Sequence, residues 1–248
     1  MVCFDHRHAA WHATVGVARA SASGAASHRR NHTKHGASMI AQTARQRSRE
    51  PLPSLGTVRH FAQDQTLYRE GEPVGHLMQL VAGMVRSVSL RHDGRRYVEA
   101  FHQAGDLFGL EMGAYYAKSA EAVSPCSAVL YPLQDFIPQN AGREALSQQV
   151  FTAMQSELQQ ARDHARLLSR ASARERVAAF LLECASRVGD WPLVTLAMNR
   201  QDIADYLGLS VETVSRALTQ LHRDRLIQFL GTRSLRLLDV PALRDMTG

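Results

Sequence analysis

A chain of 248 residues is long enough for one large domain or two modest ones, each with a real core. Hydrophobic residues make up 45% and charged residues 21%, as in a mostly globular chain; no apolar run approaches the roughly 18 residues of a membrane helix, and three scattered cysteines (Cys3, Cys126, Cys184) are too few for a disulfide scaffold or a four-cysteine metal site. The formal charge of +6 hints at an anionic partner, but residues 1–50 hold eight Lys/Arg against two acids (Asp5, Glu50) and residues 51–248 hold twenty-one of each, so all of the excess lies in the first fifty residues.

Residues 1–38 contain no Leu or Ile, are rich in Ala and Ser, and carry six of the twelve histidines (His6, His8, His12, His28, His32, His35). Such a segment buries too little apolar surface to offset its ordering entropy, so residues 1–50 are predicted to be a disordered tail. Other readings stay open. His28 and His32 have helical spacing for a metal, although no cysteine or carboxylate cluster completes a site. The segment is also Arg- and Ser-rich like a targeting sequence, although His12 and Arg19 interrupt its weakly apolar stretch. A third alternative is translation starting at Met39.

Residues 57–137 read as β structure, within a domain placed at 51–142. Leu77–Val81, Val85–Leu90 and Tyr97–Phe101 are short apolar segments separated by the turn signals Gly71-Glu72-Pro73, Ala82-Gly83, His92-Asp93-Gly94 and Ala104-Gly105-Asp106. Val85, Ser87 and Ser89 alternate with Arg86, Val88 and Leu90, one face more apolar than the other. Asp93-Gly94 is a good hairpin turn. Regular turn spacing without intervening helices predicts an antiparallel barrel or roll.

Residues 143–170 switch to a helical period. Phe151, Met154, Leu158, Ala161, Ala165 and Leu168 follow a heptad spacing, a narrow seam predicted to form a parallel homodimer contact. Packing within its own domain is the competing reading.

Residues 171–248 form a third unit. A helix is centred on Val177–Leu182, and two short helices follow, with Asn199 and Ser210 as their N-caps and Gly208-Leu209 as the turn between them. Leu226–Leu230 and Leu235–Leu238 flank Gly231-Thr232-Arg233-Ser234 as a β-hairpin wing. Two capped helices about a tight turn are a helix-turn-helix pattern, whose second helix enters the major groove of double-stranded DNA. There Glu212, Ser215 and Arg216 share one face, opposite Val214, Leu218 and Leu221. A Glu accepts from cytosine N4, an Arg donates two bonds to guanine O6 and N7, and a Ser pairs with several base edges, so these three are the predicted base readers. The competing account of Glu212 is a favourable place in the first helical turn with an i,i+4 pair to Arg216. From Arg162 to Arg236, twelve Arg outweigh eight acids. Asn199, Arg200, Ser210, Thr213 and Arg233 are candidate contacts to the DNA backbone, as are Arg223 and Arg225.

The order of β-roll, long helix and winged helix-turn-helix resembles the CRP/FNR family of bacterial transcription regulators over roughly residues 55–240. Met198–Arg216 resembles the FNR/FixK branch in particular, with its E-x-x-S-R pattern in Glu212, Ser215 and Arg216; CRP itself has an Arg before the Glu and a Gly for the Ser, where Val211 and Ser215 stand here. The resemblance implies an α+β fold with a cyclic-nucleotide-binding-like antiparallel β-roll, a dimerisation helix and a C-terminal DNA-binding domain. It implies a cytoplasmic homodimer that binds TTGAT-like inverted repeats and works with RNA polymerase, with no membrane association.

Gly105–Glu111 resembles the family's phosphate cassette region, but the order is Gly109-Leu110-Glu111, and Lys118-Ser119-Ala120 replaces the family's Arg element; Lys lacks the bidentate fork of Arg. Cyclic-nucleotide binding is therefore not expected. The four thiolates of an FNR iron–sulfur cluster are not available in one chain with three cysteines. Haem ligation by His76, His92 or His102 stays open beside the reading of each as an exposed turn histidine. Cys184 is expected to be a buried small hydrophobe. Missing sensing motifs resemble FixK-like members, which implies an activator of low-oxygen respiration, denitrification or nitrogen-fixation genes. A ligand-gated sensor of the same family, responding to haem, nitric oxide or a nucleotide, is the alternative. No Walker loop, nucleophile elbow or paired metal-ligand motif supports an enzyme.

Overall fold

The computed structural model describes residues 56–111, 113–133, 144–188 and 192–248. The tail assigned to residues 1–50, with Cys3 and six of the histidines, lies outside the described residues.

The roll consists of β1 (Thr57–Phe61), β2 (Thr66–Tyr68), β3 (His76–Ala82), β4 (Met84–Leu90), β5 (Arg96–Gln103), β6 (Leu107–Phe108), β7 (Ser119–Ala122) and β8 (Cys126–Pro132). They form two antiparallel sheets of four strands, ordered β1-β8-β3-β6 and β2-β7-β4-β5. Phe61, Tyr68, Met78, Leu80, Val85 and Phe108 belong to the core of the roll. Two of the turns read from the sequence have identifiable causes: Ala82-Gly83 carries the chain from β3 in one sheet to β4 in the other, and His92-Asp93-Gly94 closes the β4–β5 hairpin. Gly83 has a left-handed φ of 87°, and a Cβ there would collide with the Pro125 carbonyl. Between β4 and β5, the Asp93 carboxylate accepts the Arg95 amide at 3.0 Å.

The alternation in β4 predicts one face more apolar than the other, but the strand is buried on both. Val85 and Ser87 point into the roll, while Met84 and Val88 join Val98, Phe101 and Val123 in the core cluster of the C-terminal unit. Arg86 is only 6% exposed. The reason is tertiary: the outer surface of this sheet carries the helix-turn-helix unit.

His102 was expected as an exposed turn histidine, like His76 and His92, which are exposed. It lies instead inside β5, bonded through Nε2 to Ser87 Oγ at 2.7 Å and stacked on Phe108. Burial, followed by the charges of Lys118 and Arg187, pushes its pKa down to about 3.

Helix α1 (Glu144–Leu168) runs along the roll, and α2 (Ala173–Val188) follows after four residues. Ala153, His164 and Leu167 of α1 face the chain and are buried; Phe151 (59%), Met154 (39%) and Leu158 (52%) are exposed on another face. The C-terminal unit adds β9 (Leu193–Thr195), α3 (Arg200–Leu207), α4 (Val211–Arg223), β10 (Ile227–Phe229), β11 (Ser234–Leu237) and α5 (Val240–Thr247). The wing is a three-stranded sheet, β10-β11-β9, one strand more than the sequence pattern shows.

The buried, neutral His102 gives a pH dependence with a defined sign. Its folded pKa lies below the unfolded value, so the unfolded chain binds the proton first and stability falls as the pH drops below about 6.5. Lowering the pH from 7 to 5 is expected to cost about 2 kcal/mol through this residue. A His102→Gln variant, followed by thermal melting across that range, should show a correspondingly shallower dependence.

Candidate nucleic-acid interface

Helix α3 begins with a reciprocal capping box. Asn199 Oδ1 accepts the Asp202 amide at 2.8 Å, and Asp202 Oδ2 accepts the Asn199 amide at 3.3 Å. The helix ends at Gly208, which adopts a left-handed conformation (φ 63°, ψ 38°) and sends its amide to the Ala204 carbonyl. Ser210 then caps α4, its hydroxyl accepting the Thr213 amide at 3.2 Å and lying 3.0 Å from Thr213 Oγ1. Short capped helices about an αL residue set α4 against α3, and the buried stripe of Val214, Ala217, Leu218 and Leu221 holds it there.

The opposite face of α4 is open. Glu212, Ser215 and Arg216 are all exposed on it. Ser215 and Arg216 also line an open groove with Thr219, Gln220 and Arg223, residues that the sequence reading left out of the readout face although they continue its i,i+4 spacing. The carboxyl of Glu212 is held below its ordinary range by its own backbone amide and the Ser210 hydroxyl, with Arg216 adding to the effect. A fully exposed carboxylate and the exposed guanidinium of Arg216 thus stand side by side at the start of the helix.

The candidate backbone contacts surround this face. Asn199 and Ser210 sit at the N-termini of the two helices, where the amide ends of helix dipoles favour an anion. Arg200 is half-buried, its Nη1 has no hydrogen-bond partner among the described residues, and burial lowers its pKa. Such a group gains by meeting an external acceptor. Arg233 is exposed at the tip of the wing, its carbonyl receiving the Leu196 amide. Thr213 is half-buried and engaged with Ser210.

On α1, Ala161 and Ala165 are exposed with Phe151, Met154 and Leu158, whereas Leu168 is half-buried and packs against the core of the C-terminal unit. The residue most removed from its sequence assignment is Asp202. It is more than a cap: although 1% exposed, it also receives Arg86 and Arg96 of the roll.

Beside His102 lies a cavity of about 20 Å³, lined also by Asp106, Leu107, Ala153 and Glu157, room for one water. Lys118, the residue standing for the family's Arg element, bonds Glu157 of α1 at 2.7 Å and lies 4.0 Å from Glu99. Burial works against its charge, and these carboxylates outweigh it, leaving its pKa raised. Cys184 packs against the C-terminal core, and burial pushes its thiol up to about 12. Among the described residues, no group of three His, Cys, Asp or Glu side chains is arranged to hold a metal.

Residues 175–246 match the family described as Crp-like helix-turn-helix domain, and residues 58–138 match the cyclic nucleotide-binding domain. The nitrogen fixation regulation protein FixK of Azorhizobium caulinodans is 39% identical over 212 residues, covering 84% of this chain and 86% of that one. The FixK of Rhizobium meliloti is 35% identical over 79% of this chain and 90% of its own length. The chain belongs to the CRP/FNR family, in its FixK-like branch. The structure of FixK2 from Bradyrhizobium japonicum superposes with a TM-score of 0.73 at 39% identity, over 79% of this chain and 98% of that one. This FixK-like protein is accordingly a DNA-binding transcription regulator and not an enzyme. Among its described residues no helix is long and apolar enough to cross a membrane.

The Gly208 turn sets the angle between α3 and α4, and its cost of substitution is conformational. A Cβ there meets only Leu168 Cδ2 at 3.7 Å, an ordinary contact. Gly208→Ala is expected to lower stability by about 1 kcal/mol, read as a shift in the urea midpoint, and Gly208→Asn by less, because Asn tolerates the left-handed region.

Proposed function

We propose that the protein is a homodimeric, cytoplasmic activator that reads TTGAT-like inverted repeats and engages RNA polymerase at promoters of low-oxygen, denitrification or nitrogen-fixation genes. The observation that carries base readout is the exposed trio on α4. Glu212 is poised as an acceptor for cytosine N4, Arg216 as a bidentate donor to guanine, and Ser215 between them as an adaptable partner. Asn199, Arg200, Ser210, Thr213 and Arg233 hold phosphates around it. The wider role draws on relatives: two FixK proteins are named for nitrogen fixation regulation, and AadR of Rhodopseudomonas palustris, 38% identical over 67% of this chain, is named a transcriptional activatory protein.

A second copy of the chain is the natural cover for the apolar stripe Phe151, Met154, Leu158, Ala161 and Ala165, with Leu168 at its end. Its heptad spacing suits a parallel pair of helices, and a two-fold dimer matches an inverted repeat. Control by abundance rather than by a ligand is favoured by Lys118, which already has its counter-charges within the chain.

In gel shifts at fixed salt, a TTGAT inverted repeat should be retained over a scrambled duplex; equal binding to both would defeat the proposal. Arg216→Ala should lose about 1–3 kcal/mol of discrimination at the guanine. Arg200→Ala should weaken all sequences alike and reduce the salt slope by about one. Leu158→Glu should yield monomers in light scattering and lose affinity for the repeat, whereas a monomeric wild type would rule out the dimer.

A further inference from the structure

The helix-turn-helix unit is attached to the rest of the chain in two ways. Covalently, α2 follows α1 through residues 169–172, a short link in which the Ser169 and Arg170 amides bond back to the Ala165 and Leu167 carbonyls. Non-covalently, α3 rests on the β4–β5 face of the roll. Part of that contact is apolar: Met84, Val88, Val98 and Phe101 join the C-terminal core, and the Phe101 and Tyr206 rings lie 5.2 Å apart. Apolar contact is non-directional, so by itself it permits sliding.

The other part is directional: His164 of α1 bonds the Tyr206 carbonyl at 2.7 Å, Arg187 of α2 donates to the Phe101 carbonyl at 3.1 Å, and two arginines of the roll hold α3. Arg86 Nη1 donates to both carboxylate oxygens of Asp202, at 3.0 and 3.1 Å. Arg96 donates through Nη2 to Asp202 at 2.7 Å and through Nε to Asp205 at 2.8 Å. Glu121 of β7 holds Arg86 from behind, at 2.8 Å. Two guanidiniums from neighbouring strands thus grip two carboxylates one turn apart on a single helix. The planar fork of each Arg sets an angle as well as a distance. With this contact made, Glu212, Ser215 and Arg216 remain exposed, so the docked arrangement leaves the reading face free.

We infer that Arg86 and Arg96, remote from DNA, are positioning residues that fix the orientation of α4 and thereby the half-site spacing the dimer accepts. This rests on the dimeric reading proposed above. In a symmetric dimer the two reading helices must enter grooves about one helical turn apart, and each added base pair moves the second half-site by about 3.4 Å and turns it by about 34°. A reading unit without the two arginines has fewer directional contacts to resist that rotation; one gripped by both guanidiniums resists it.

The experiment measures full-length wild type, Arg96→Gln, Asp205→Asn, their double variant and Arg86→Met on three kinds of duplex: a single TTGAT half-site, the inverted repeat, and repeats with one base pair added or removed at the centre. Wild type is expected to lose about tenfold in affinity on a misspaced repeat, comparable to a mismatched pair. In Arg96→Gln and Asp205→Asn the penalty should fall to about threefold, with single half-site affinity unchanged within about twofold. The double variant should match Arg96→Gln, because that substitution already removes the Asp205 contact along with the one to Asp202. Arg96 and Asp205 are partly exposed, so these variants stand even where Arg86→Met fails to fold. A spacing penalty retained in the folded variants overturns the inference, whether or not their melting temperatures fall. A wild type that binds one half-site as tightly as the repeat refutes instead the dimeric reading beneath it.

Discussion

A carboxylate removed from water must be met on every side, and Asp202 is met by the Asn199 amide and by Arg86 and Arg96. The first of these starts the helix-turn-helix; the other two tie it to the roll. One side chain therefore closes the local structure of α3 and the tertiary contact between the two halves of the regulator. Removing a single partner from such a buried set typically costs about 3–5 kcal/mol, because the remaining charge is left without water or counter-ion. The set as a whole adds far less stability than that, since each ion lost its hydration on folding. Its main contribution is geometric.

The roll shows the same logic turned inward. In this domain of the cyclic nucleotide-binding class, His102 and Lys118 take their partners from the protein itself. His102 bonds Ser87, and Lys118 is neutralised by Glu157 of the long helix, which links the roll to α1 without any external anion. Buried polar groups are tolerated because they satisfy one another. The interior thereby holds β4, β5 and α1 together, the same elements that present Arg86 and Arg96 to α3.

Much of the C-terminal unit was legible in the sequence because its determinants are local. Asn199 with Asp202, Gly208, and Ser210 are capping and turn residues whose effect operates over three or four positions. The exposed face of α4 follows from helical periodicity alone. Strand β9 and helix α5 were missed: β9 has only three residues and exists through pairing with β11, and α5 starts at Asp239 after the wing, where no apolar period is long enough to see. His102 was misplaced because a histidine in an alternating strand looks the same whether its face meets water or a core. The burial of Arg86 was hidden for the same reason.

The sequence by itself determined the order of roll, long helix and winged unit, the caps that build the helix-turn-helix, and the identity of the side chains displayed on α4. These follow from short-range periodicity and capping chemistry, which neighbouring residues decide. Only the tertiary structure decided that both faces of β4 are buried, that the positive charge of Lys118 is answered from within, and that Asp202 and Asp205 meet Arg86 and Arg96 across more than a hundred residues of chain. Charge pairing at that separation leaves no local periodicity, because each partner on its own is an ordinary surface residue.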